Sequence, residues 1–192
     1  MSFSSKLFVL VVAASMSHVA CTYETNNYYS GADVSSDTSG AFTFALDEYT
    51  PESQAVSVGQ KGLPVLYLTV TAGDSGGCLG KITLQRGGVS SDGLLESASL
   101  YDMTNKPWIL ISTGSFNGSK ALIGSTGLGW LICLKGGESR RYAITVDVTS
   151  SLSSGQTFAL GIGSAQDIET SDSSSVGGSF PIFGNSFTIV AN

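Results

Sequence analysis

The run Gly73–Gly77, with Ser75 at its centre, spells the sequence that surrounds the nucleophilic serine in one large class of proteases. Such a serine needs a histidine to remove its proton and backbone N–H groups to stabilise the oxyanion. The chain has one histidine, His18, and it lies near the N-terminus, far from this run. Lys81 is the alternative base, and nothing else in the sequence supports it. We therefore predict a glycine-rich turn, with no catalytic residue and no enzyme activity.

Acidic side chains gather in three places, where they could bind a cation or form an acid–base pair. Calcium takes six to eight oxygen ligands, often from loops. None of the three groups matches a known calcium loop, so solvated turns are the main interpretation, and the last group is the candidate calcium site. Without a histidine cluster or paired cysteine spacing, we predict no transition metal and no cofactor. The three groups are Asp47, Glu48 and Glu52; Asp92 and Glu96; and Asp167, Glu169 and Asp172.

Aromatic residues could form a platform on which sugar rings stack. Trp108 and Trp130 lie within apolar runs, however, and Tyr67 and Tyr101 have similar surroundings. Core packing is therefore the prediction for all four, because large aromatic side chains bury the most apolar area. The sequence Asn117-Gly118-Ser119 fits a glycosylation acceptor, and we interpret it as a hairpin turn.

Residues 1–21 are typical of an export signal, since the apolar run Leu7–Ala14 is followed by small residues. That run is too short for a permanent membrane span. The sequence His18-Val19-Ala20-Cys21 matches the lipobox of bacterial lipoproteins at all positions except His18. We predict lipid attachment at Cys21, with ordinary cleavage after Ser17 as the alternative.

The chain has three cysteines, an odd number for an exported protein. Lipidation of Cys21 would leave Cys78 and Cys133 as a pair, which an oxidising compartment could join in a disulfide. Two buried free thiols are the alternative, because the sequence does not say whether the two residues lie close together.

Residues 22–40 contain almost no aliphatic side chains and no periodicity, which predicts a flexible polar arm. Its root-mean-square span would be about 25 Å. The alternative is that the arm becomes ordered on a neighbouring subunit, with Tyr23, Tyr28 and Tyr29 as anchors.

From residue 41 onward, short segments alternate between apolar and polar residues and are separated by Gly, Ser, Asn and Asp. The segment Tyr142–Val148 has the cleanest alternation, whereas Leu63–Thr71 and Leu128–Leu134 are apolar on both faces. This pattern predicts an all-β domain over residues 41–192: an immunoglobulin-like sandwich of two antiparallel sheets, with a barrel as the alternative. The net charge of −6 is spread along the chain, which argues against nucleic-acid binding.

Several segments resemble a family of bacterial and archaeal surface modules with an immunoglobulin-like β-sandwich. The resemblance rests on Lys81–Asp92, Ala98–Asp102, Gly137–Val148, Gly155–Ile162 and Gly178–Ile189. It implies a secreted or surface-anchored module with a structural or adhesive role and without catalytic residues. This chain holds only one such domain, so it would act alone or by self-assembly.

Together these features predict a non-enzymatic structural protein at the cell surface or outside the cell, including an outer-membrane lipoprotein among the candidates. Its partners would be further copies or other surface proteins, and a membrane only through lipid at Cys21. Copies could form a filament or matrix by strand addition, using the uncharged segment Ala41, Phe42, Thr43, Phe44, Ala45 and Leu46. The alternative function is a carbohydrate-binding or adhesion module for an extracellular polysaccharide.

Overall fold

A computed structural model describes residues 42–124, 129–150, 154–171 and 175–190. These residues form 14 strands and a short 3-10 helix, Ala165–Asp167. Within them, no helix has the length and apolar character that a membrane crossing requires. The strands are β1 (Phe42–Leu46), β2 (Ala55–Ser57), β3 (Leu63–Ala72), β4 (Gly77–Gly87), β5 (Leu95–Asp102), β6 (Ile109–Asn117), β7 (Lys120–Gly124), β8 (Ile132–Leu134), β9 (Ser139–Val148), β10 (Thr157–Ile162), β11 (Ile168–Thr170), β12 (Val176–Gly178), β13 (Ile182–Phe183) and β14 (Phe187–Val190).

The strands belong to one continuous sheet with the order β12-β1-β3-β9-β5-β6-β7-β4-β10-β14-β2. Strands β8 and β11 also pair with β4, and β13 pairs with β10. Strand β6 follows β5 for most of its length and then pairs with β7 at Phe116 and Asn117. This change of partner carries the sheet from the half that contains β3 to the half that contains β4.

The all-β class is confirmed, whereas the arrangement of the sheets differs from the prediction. Two separate antiparallel sheets were predicted, but the β6–β7 hairpin joins the halves into one curled sheet. Two of the pairings, β1 with β12 and β2 with β14, are parallel. The architecture is a half-barrel. It is therefore closer to the predicted alternative, a barrel, than to a sandwich of two unconnected sheets.

The two halves of the sheet bury one shared apolar core. Strand alternation explains it, because every second residue of β1, β3, β5 and β9 faces side chains from β4, β10 and β14. Full burial of one such side chain contributes about 1.5–3 kcal/mol. The largest fully buried side chains are Tyr142, Phe42, Phe44, Phe158, Phe187, Leu66, Leu68, Leu79, Ile82, Leu84, Leu94 and Leu100.

Two predictions about individual strands were wrong. Residues 63–71 were expected to be buried on both faces, but Tyr67, Thr69 and Thr71 lie half-buried on the outer face of β3. The segment 128–134 was expected to be one apolar strand, but of its described residues, 129–134, only Ile132–Leu134 form a strand, and Trp130 is 50% exposed. Trp130 lies instead against Gly80 on the outer face of β4, where the glycine leaves room for the indole ring.

Gly114 lies two residues before β6 changes its partner from β5 to β7, and we predict that Gly114→Ala destabilises the fold. A Cβ atom at this position would clash with the backbone carbonyl of Leu122 in β7. Because backbone atoms cannot move aside cheaply, we expect a loss of about 2 kcal/mol or more in the free energy of unfolding, measured by urea denaturation. Gly177→Ala is the control, since its Cβ would meet the Thr43 hydroxyl at 3.6 Å and the Phe42 carbonyl at 3.8 Å, both ordinary van der Waals distances. Equal stability of the two variants would contradict the prediction.

Candidate functional site

The protease-like run forms the turn between β3 and β4, as the sequence predicts. Gly76 has a φ of 70° and donates its N–H to the Gly73 carbonyl at 3.0 Å. The same carbonyl accepts the Gly137 N–H at 3.0 Å, which ties the turn to the connection before β9. Lys81 pairs with Glu169 at 2.7 Å rather than approaching the turn. Ser75 therefore lies in a turn that backbone hydrogen bonds hold in place, and the described residues contain no histidine.

Cys78 and Cys133 lie opposite each other on β4 and β8 and are joined by a disulfide. The bond links residues 55 positions apart in the sequence. Cys78 directly follows Gly77, so the disulfide fixes the base of the same turn. The predicted lipid attachment residue, Cys21, lies outside the described residues, as do the export signal and the polar arm.

The two described carboxylates of the candidate calcium site, Asp167 and Glu169, each bind a different set of protein groups. The Asp167 carboxylate accepts hydrogen bonds from the Ser164 N–H at 2.9 Å and from the Gln85 amide at 3.1 Å. Glu169 pairs with Lys81, and Asp172 lies outside the described residues. In the described part of the chain, no group of three or more Asp, Glu, Cys or His residues is arranged to hold a metal.

The remaining acidic groups form ion pairs or stay exposed. Asp92 pairs with Arg86 at 2.9 Å and Glu96 with Lys61 at 2.5 Å, while Glu48 and Glu52 are exposed. The Lys61–Glu96 pair is at the surface, where such a pair contributes little to stability. In the other pair the Arg86 side chain is buried and Asp92 is exposed.

Asp47 is different, because it is 6% exposed and anchors the end of β1. Its carboxylate accepts two hydrogen bonds from the Arg141 guanidinium, at 2.6 and 2.7 Å, and a third from the Thr69 hydroxyl at 3.0 Å. Arg141 also lies 4.9 Å from the centre of the Tyr49 ring. The hydrogen bonds from Arg141 lower the pKa of Asp47, and those to Asp47 raise the pKa of Arg141. The pair therefore links β1 and β9 across β3.

An aromatic row crosses the outer face of the half-barrel next to this ion pair. The pairing registers place Tyr67, Ala143, Tyr101 and Leu110 side by side on β3, β9, β5 and β6. Trp108 contacts the Tyr67 end of this row edge to face, with ring centres 5.8 Å apart. We call Tyr67, Tyr101, Trp108, Leu110 and Ala143 the aromatic face.

The burial of Ala143 shows that the aromatic face is a packed surface. Ala143 is 0% exposed although it does not belong to the core cluster, so neighbouring side chains on the outer face cover it. Burial also raises the pKa of Tyr67 above its ordinary value. The prediction that these aromatic residues pack in the core was wrong. They are half-buried on the outside of the sheet.

A second feature, which we call the seam, lies between β1 and β13. Strand β3 pairs with all five residues of β1, whereas β12 pairs only with Phe42–Phe44. Among the described strands, Ala45 and Leu46 therefore have a sheet partner on one side only. A cavity of about 440 Å³ opens there, and it is lined entirely by uncharged residues: Thr43, Phe44, Ala45, Leu46, Gly178, Ser179, Pro181, Ile182 and Phe183.

The predicted strand-exchange segment borders this cavity. Phe42 and Phe44 are buried in the core of their own chain, while Thr43, Ala45 and Leu46 are exposed. Ala41 lies outside the described residues.

No model of a known family and no curated protein matches the chain. Among solved structures, it is similar to the third cohesin of ScaC from Acetivibrio cellulolyticus, determined in complex with the ScaB dockerin. The match covers 78% of this chain and 98% of the cohesin chain, at 14% sequence identity and a TM-score of 0.32. So distant a likeness carries no argument about fold or function, and the surface-module family stays a prediction.

The ion pair of Asp47 yields a prediction about pH dependence. The pKa of this carboxyl is lower in the folded chain than in the unfolded chain, so its stabilisation is present above the unfolded value of about 4. It is lost as the pH falls through the lower, folded value. We expect Asp47→Asn to cost about 1–3 kcal/mol at pH 7, because Asp47 is buried but Arg141 is 43% exposed.

Urea denaturation at pH 7 and pH 2.5 measures this effect, with the exposed Glu52→Gln as the control. We expect the difference between wild type and Asp47→Asn to shrink at the lower pH. A difference of the same size at both pH values would show that the ionised carboxylate is not its source.

Proposed function

We propose that the chain is a non-enzymatic structural protein at the cell surface or outside the cell, whose copies associate by strand addition at the seam. The observation that carries the proposal is the open end of β1 above an uncharged cavity. A strand edge with free backbone groups pairs readily with another extended chain, and proteins normally cover or charge such edges. At the seam, Leu46 is 47% exposed and no charged residue lines the cavity.

The backbone at Gly178 supports an open edge beyond Phe44. Gly178 has a φ of 138°, and a Cβ atom there would come within 2.5 Å of the Phe44 carbonyl. Only glycine lets β12 approach β1 so closely and then turn away toward β13. An added strand would continue the β1 edge past this point, alongside Ala45 and Leu46.

The polar arm of a second copy is the proposed donor. Residues 22–40 lie directly before β1 and have no charged run that would oppose pairing with an uncharged edge. Tyr23, Tyr28 and Tyr29 are the large side chains of the arm, and the cavity of about 440 Å³ has room for an aromatic ring. β-Strand addition obtains affinity from backbone hydrogen bonds and specificity from such side-chain pockets.

The export signal and the lipid at Cys21 belong to the same proposal. A lipid on Cys21 would hold the chain at a membrane by its arm, and ordinary cleavage would release it as a secreted subunit. The disulfide between Cys78 and Cys133 supports an oxidising compartment, since such bonds persist there. Mass spectrometry of the mature N-terminus distinguishes the two routes.

Self-association is tested with the mature chain by size-exclusion chromatography and electron microscopy. We expect the wild type to form oligomers or filaments, and a chain that lacks residues 22–40 to be monomeric. Leu46→Lys should also be monomeric, because a charge at the seam opposes strand addition. Leu122→Lys is the matched control, since Leu122 is 53% exposed on another strand. A wild-type chain that stays monomeric at every concentration would overturn the proposal.

The other function predicted from the sequence, a carbohydrate-binding or adhesion module, does not depend on the seam. It depends on the aromatic face.

A further inference from the structure

We infer that the aromatic face is a binding site for a neutral polysaccharide, whose pyranose rings pack on Tyr67, Tyr101 and Trp108. A pyranose ring has an apolar C–H face and a rim of hydroxyl groups. A binding site for this ring needs apolar side-chain rings against the C–H face and hydrogen-bonding groups beside the hydroxyls. Small-ligand sites generally combine apolar walls with a few polar groups in this way. The inference is independent of self-association at the seam.

The registers place four residues of the aromatic face in a row across neighbouring strands. Strands in a sheet lie about 4.8 Å apart, so Tyr67 on β3 and Tyr101 on β5 are about 10 Å apart. Leu110 on β6 extends the row by one more strand, to about 14 Å. This row is longer than one sugar ring, and its direction across the strands suits an extended chain of linked sugars.

Polar groups border the row on both sides. On one side, Ser99 and Thr113 lie on neighbouring strands with their hydroxyl oxygens 2.7 Å apart. On the other side lies Arg141, two residues from Ala143 along β9. Two of its five N–H groups bond to Asp47, which leaves three that can donate to a ligand. Sugar hydroxyls can therefore find both donors and acceptors beside the rings.

The charges around the aromatic face favour a neutral ligand. The charge of Arg141 is compensated by Asp47 at 2.6 Å, so this guanidinium is already paired and does not attract an acidic glycan as a free cation would. Nucleic-acid bases also stack on aromatic rings, but their phosphates require a positive surface, and this chain has a net charge of −6. A stable protein interface needs about 800 Å² on each partner, far more than a row of this length supplies.

Tryptophan fluorescence tests the site directly, because the chain has only two tryptophans. In Trp130→Phe the remaining indole is Trp108 on the aromatic face. In Trp108→Phe it is Trp130, which is half exposed on the outer face of β4 and serves as the matched control. The probes are hydroxyethylcellulose, xylan, galactomannan and dextran, with alginate as the anionic comparison.

We expect at least one neutral polysaccharide to shift the emission of the Trp130→Phe protein to shorter wavelength and to leave the Trp108→Phe protein unchanged. In affinity electrophoresis with that polysaccharide, Tyr101→Ala should weaken binding about tenfold, the loss of one ring-packing contact. Trp130→Ala should bind like the wild type. Thermal unfolding of each variant separates loss of binding from loss of fold, and Tyr101→Phe, which keeps the ring, should retain binding.

Three results would overturn the inference. The first is no emission change with any of the four neutral polysaccharides. The second is an equal response of Trp130, or binding only to alginate. The third is a Trp108 shift that depends on protein concentration without sugar, which would assign the aromatic face to contacts between copies.

Discussion

The structure depends on one constraint, that a single sheet must curl far enough to enclose its own core. Edge pairing between β6 and β7 closes the curl at one corner, where Gly114 lets the two backbones come close. At the opposite side, β1 and β13 approach each other without pairing, and the cavity of the seam lies between them. The same curl turns the outer faces of β3, β9, β5 and β6 toward solvent, where the aromatic face forms. Both candidate sites are therefore consequences of how the sheet bends.

Strand alternation made much of this fold predictable. The segment Tyr142–Val148 was predicted from its period of two, and its inward residues are buried as expected. Phe42 and Phe44 follow the same rule, but Leu46, which has the same parity, is exposed. The reason lies in the tertiary structure. At Leu46, β1 reaches the seam, and none of the described strands from the other half of the sheet covers this residue. The alternation within a strand predicts on which face of the sheet a residue lies. It does not predict which residues pack against that face.

The candidate sites were harder to predict for the same reason. The aromatic face is assembled from four strands whose residues are far apart in the sequence, so no short motif marks it. Tyr67 sits in a segment that is apolar at nearly every position, which hides its outward parity. A usable signal was present in Tyr101, since it directly follows the buried Leu100 along β5. The turn at Ser75, by contrast, was predictable, because the sequence itself shows that the one histidine, His18, lies far from this run.

The positions of the two sites also bear on how they could act together. Strand addition extends a sheet at its edge, in the plane of the strands, so a partner at the seam would not cover the outer face of β3. The Asp47–Arg141 ion pair lies between the sites, because Asp47 directly follows Leu46 and Arg141 is two residues from Ala143 on β9. In a polymer, each copy would thus present its own aromatic face. Many weak sites on one particle bind a repetitive ligand far more tightly than one site does, because each later contact is intramolecular. A small, shallow site such as the aromatic face gains the most from this repetition.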